Sequence, residues 1–98
     1  MANNMGKKLR WGRDIGFLFR KLIINYYRFF HGDYVNSDGR RLLEEILRMI
    51  MYEHPEYKRR IYKIRRDPSL YNILKLGEDI VGPRIHEWVE EGINSFHY

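Results

Sequence analysis

Cysteine, threonine and glutamine do not occur in this chain of 98 residues, and alanine occurs once. Without Cys there is no disulfide, no thiolate metal site and no thiol nucleophile. Nothing marks an oxidising compartment, so the expected location is cytoplasmic or otherwise intracellular, in a host cell or a virion if the chain is viral. A membrane-spanning run is missing as well. The longest apolar stretch, FLFRKLIINYYRFF, is interrupted by Arg20, Lys21, Asn25 and Arg28, whereas a span needs roughly twenty mostly apolar residues. MANNMGKKLRWGRD lacks the apolar core of a signal peptide. These absences point to a soluble chain, or one that at most lies on a membrane surface.

Signatures of catalysis and cofactor binding are equally scarce. Ser37, Ser69 and Ser95 have no His and acid in a recognised order, and there is no Gly-rich phosphate loop. His86 and Glu90 stand four apart, but HEWVE lacks the second His of the zinc-protease motif, so an ordinary pair on a helix surface is expected. DYVNSDG has the composition of a calcium loop without its register: counting back from Gly39 puts Tyr34 at the first ligand, and Glu45 belongs to a helix. A capping loop accounts for it. No enzyme activity, cofactor or metal is expected.

What the chain does contain is charge and aromatic rings. Hydrophobic residues make up 44% and aromatic ones 15%, a composition that folds, and this length fits one domain with its own core. Abundant Arg, Lys, Glu, Ile and Tyr with no Thr, Gln or Cys suit a thermophile, with an archaeal or viral source as the expectation. The six Asn residues run against it.

Apolar residues recur at helical spacing and never alternate over a useful length, so the expected fold is all-α: a compact bundle of about five helices over 13–30, 38–52, 55–66, 68–76 and 83–96. The first is apolar around most of its circumference, with Arg20, Lys21, Asn25 and Arg28 in one stripe. It should form the centre of the core or lend a face to a second copy in a homodimer. Gly32 is placed to close it. In the second helix Leu42, Leu43, Ile46, Leu47, Ile50 and Met51 share a face. Asn36 or Ser37 can cap it, and Arg40/Glu44 and Arg41/Glu45 sit at ion-pair spacing. Pro55 suits the first turn of the third helix. Asp67-Pro68 repeats that device before a short helix that Gly77 closes, and Pro83 opens the last, on which Ile85, Trp88, Val89, Gly92 and Phe96 share a face.

Charge is segregated along the chain. Residues 1–31, 32–54, 55–66 and 67–98 carry nets of +6, −2, +5 and −4. The third helix, EYKRRIYKIRRD, has an apolar stripe of Tyr57, Ile61 and Ile64, and every other outward position is charged or is Tyr62. An exposed ring among guanidinium groups is what a base-stacking or phosphate-binding surface uses. The candidate nucleic-acid contacts are therefore Lys58, Arg59, Tyr62, Lys63, Arg65 and Arg66. Residues 1–12 are read as a flexible basic arm preceding a single helical domain over 13–98, and they add Arg10 and Trp11.

The helix is long enough for a B-DNA major groove. With only Glu53-His54-Pro55 between it and a long preceding helix, it departs from the compact helix-turn-helix, so backbone contacts are favoured over sequence readout. Four to six phosphate contacts would give a log–log salt slope of about −4 to −5 on duplex DNA.

Other readings compete. The basic helix can simply pair with Glu78, Asp79, Glu87, Glu90 and Glu91 within one fold. An acidic protein surface is another partner, as for an adaptor or inhibitor of viral type, and an anionic membrane met by FLFRKLIINYYRFF is a third.

Overall fold

The computed structural model describes residues 15–97. These form α1 (15–24), α2 (Tyr26–Phe29), β1 (Phe30–His31), β2 (Tyr34–Val35), α3 (Ser37–Glu53), a 3-10 turn (Pro55–Tyr57), α4 (Lys58–Arg66), α5 (Leu70–Val81) and α6 (Arg84–His97). The fold is an all-α compact bundle, as the periodicity predicts.

The long first helix is not continuous. It breaks at Asn25 (φ −103°, ψ 37°), whose side-chain Nδ2 donates to Lys21 O at 2.8 Å. An Asn side chain that bonds the preceding turn offers the backbone an alternative to the helical ladder. Its carbonyl then accepts from Arg28 N and Phe29 N to start α2.

Gly32 does not cap a helix. With φ +64° it forms, with Asp33, the two-residue turn of a small antiparallel hairpin that pairs Phe30 with Val35 and His31 with Tyr34. This hairpin also fastens the link between α4 and α5. Val35 N donates to Pro68 O, and Leu70 N donates to Asp33 O at 2.7 Å.

Asn36 joins two helices. Its Oδ1 accepts from Gly39 N at 2.9 Å to cap α3, while its Nδ2 donates to Arg28 O at 2.8 Å and its backbone N–H to Phe29 O. α5 is capped by Ser69, whose Oγ accepts from Asn72 N, and not by Asp67. Nor does α5 stop at Gly77. That residue is buried where α5 meets α6, and a Cβ there would collide with Ile85 Cδ1. The helix continues to Val81 and closes at Gly82 (φ +86°).

The core is one cluster to which every long helix contributes. Ile15, Phe19, Leu22 and Ile23 come from α1, Leu43, Ile46, Leu47 and Ile50 from α3, and Ile61 and Ile64 from α4; Ile73 and Leu76 of α5 meet Ile85 and Trp88 of α6. The apolar surplus read into the first helix is thus largely consumed within one chain. Phe17 and Tyr27 are its exceptions, at 67% and 49% exposure. No described helix is long and apolar enough to cross a membrane.

Candidate nucleic-acid interface

The α4 wheel has three sectors. Ile61 and Ile64 are buried and Tyr57 is half-buried, which fixes the inward direction. On one flank Arg65 Nε donates to Glu44 Oε2 of α3 at 2.9 Å. On the other, Arg60 is bonded to Asp79 of α5. Both flanking cations therefore hold neighbouring helices, Arg65 among them although the sequence reading counts it with the nucleic-acid contacts. Among the described residues the acidic last helix contributes no ion pair to α4. Its Glu91 bonds Arg20 of α1 at 2.6 Å.

The outward sector holds Lys58, Arg59, Tyr62, Lys63 and Arg66. None of these four cations has an acid within ion-pair distance among the described residues. Tyr62 is 48% exposed, and Lys58 Nζ lies 5.8 Å from its ring centroid, so ring and cation are presented together. Arg10 and Trp11 lie outside the described residues.

Sequence reading missed the neighbouring face of α3. Summing residues 32–54 gives a negative net, and Arg40 and Arg41 stand at ion-pair spacing from Glu44 and Glu45. Neither pair forms among the described residues, and Glu44 turns instead to Arg65. Arg40, Arg41 and Arg48 are exposed and, with Glu44, line a cleft of about 690 Å³ beside the β2–α3 junction. A wheel drawn for α3 would have placed Arg41 and Arg48 on one outward stripe, a signal that the segment sum averages away.

Other candidate chemistry resolves into surface pairs. His86 Nε2 is hydrogen-bonded to Glu78 Oε2 at 2.5 Å rather than to Glu90. His54 Nδ1 shares a bond with Glu56 at 2.9 Å, which holds the exposed Glu56 carboxyl below its usual range. Among the described residues no group of three His, Asp or Glu is arranged to hold a metal. No protein-family model, characterised protein or solved structure matches this chain.

Proposed function

We propose that the protein binds nucleic acid through its phosphate backbone, using the outward face of α4 and the adjoining face of α3. One observation carries this reading. The two α4 cations that reach a neighbouring helix are neutralised, whereas Lys58, Arg59, Lys63 and Arg66 have no acidic partner among the described residues. A helix whose cations served only to hold the fold would have them bonded like Arg60 and Arg65. Four like charges within one short helix repel one another, and a polyanion relieves that repulsion while releasing counterions. Such a ligand places the protein inside a cell or a virion.

The test is fluorescence anisotropy of labelled single- and double-stranded oligonucleotides from 50 to 300 mM salt. Wild type should bind at 50 mM with a log–log slope of about −4 to −5 on duplex. Arg59→Glu with Arg66→Glu should abolish binding. Absence of binding at 50 mM, or indifference to these reversals, would turn the reading to an acidic protein partner.

Self-association has less to draw on than the composition of the first helix suggests. Phe17 is the side chain that would carry it, and light scattering of Phe17→Glu against wild type decides.

A further inference from the structure

Resting on that reading, we infer that the ligand is a single strand, whose bases stack on two exposed tyrosines, Tyr62 of α4 and Tyr52 of α3, while Arg48, Arg41 and the outward α4 cations hold its phosphates.

Three observations lead there. First, α4 cannot enter a groove. A B-DNA major groove about 12 Å wide admits a single helix, but α4 is bonded on one side to α3 through Arg65–Glu44 and on the other to α5 through Arg60–Asp79. It is the middle of a layer, not a projecting rod, so the groove reading that its length invited does not apply.

Second, Tyr52 is 85% exposed, the highest of the large exposed hydrophobic side chains among the described residues. No core contact accounts for its orientation. Helical spacing puts it on the same outward stripe as Arg41 and Arg48.

Third, the register of the two helices brings the stripes together. Only the 3-10 turn separates the end of α3 from the start of α4, and Glu44, in the middle of α3, meets Arg65 at the end of α4, so α4 runs back along α3. One turn further along α3 is Arg48, and one turn back along α4 are Ile61 and Tyr62. Tyr52 follows a turn later, level with the start of α4. The two rings therefore sit on one face on the order of 12 Å apart, about one interhelical distance across and five helical rises along, with Arg48 and Lys58 between them.

Paired bases inside a duplex keep their faces stacked on one another, whereas a single strand exposes them. Aromatic platforms alternating with cations are therefore suited to single strands.

The decisive probes are labelled dT15, an abasic strand of the same length and charge, and a 15-bp duplex. dT15 should bind about tenfold more tightly than the abasic strand. Tyr62→Ala and Tyr52→Ala should each remove most of that difference without changing abasic binding. Both residues are exposed, so folding is preserved, and Tyr→Leu variants of equal effect would show that the ring is needed and not its bulk. Equal affinity for dT15 and the abasic strand, or preference for the duplex, overturns stacking while leaving the polyanion reading intact. Failure to bind any of the three at 50 mM salt overturns both.

Discussion

Arg65 Nε donates to Glu44 Oε2 at 2.9 Å, linking the last turn of α4 to the middle of α3. About a third of each side chain is exposed (33% and 31%), so the bond is partly shielded from solvent and belongs above the weakest surface pairs. It also fixes how α4 sits along α3. Glu44→Gln should cost about 0.5–1 kcal/mol in urea unfolding and leave Arg65 without its acid. Oligonucleotide affinity should then rise, with the salt slope steepening by about 1. Lower affinity at preserved stability would show that Glu44 helps the binding surface rather than masking it.

The division of labour among α4 cations gives a paired comparison. Arg66→Gln removes a cation with no acidic partner among the described residues; it should leave stability within about 0.5 kcal/mol and flatten the duplex salt slope by about 0.9. Arg60→Gln removes the bond to Asp79, so it should lower the melting temperature slightly and leave the slope unchanged. If the two variants exchange these signatures, the assignment of free and structural cations is wrong.

How much of this was legible beforehand follows from the range of each interaction. The Ile61–Ile64 stripe and the outward position of Tyr62 are set by periodicity within one helix, and both are visible in the sequence. The Glu44–Arg65 bond spans 21 residues, and local spacing offered Glu44 a competing partner in Arg40. Gly77 reads as a stop signal because Gly ends helices, but it also allows close helix crossings, and only the position of Ile85 separates those roles. The break at Asn25 depends on a side-chain bond to Lys21 that no hydrophobic pattern encodes.

Two glycines should respond oppositely to a single methyl group. At Gly39 a Cβ would run into the carbonyl oxygen of Phe29, the same oxygen that accepts from Asn36 N. Backbone cannot yield as a side-chain tip can, so Gly39→Ala should destabilise by about 1–3 kcal/mol. At Gly16 the nearest atom is Val81 Cγ1 at 3.6 Å, an ordinary contact, and Gly16→Ala should be neutral or stabilising by up to about 1 kcal/mol because Ala favours the helix. Chemical denaturation of both variants checks the pair.

Tyr26 ties stability to alkaline pH. Its hydroxyl donates to Gly32 O at 2.6 Å, and its ring stacks on Phe30 with centroids 4.9 Å apart. Partial burial, and then the nearby Asp33 carboxylate, raise its pKa above the usual phenol value of 10.0. The folded chain therefore holds this proton more tightly than the unfolded chain. The resulting stability is fully present below about pH 10 and is lost as pH rises through the folded pKa, where the phenolate can no longer donate to Gly32. Melting curves from about pH 8 to 11 should show wild type losing stability at the alkaline end. Tyr26→Phe should be weaker by about 0.5–1.5 kcal/mol at neutral pH for want of the hydrogen bond, yet flatter in that alkaline range. An unchanged alkaline slope in Tyr26→Phe would assign the loss to other groups and remove Tyr26 as the cause.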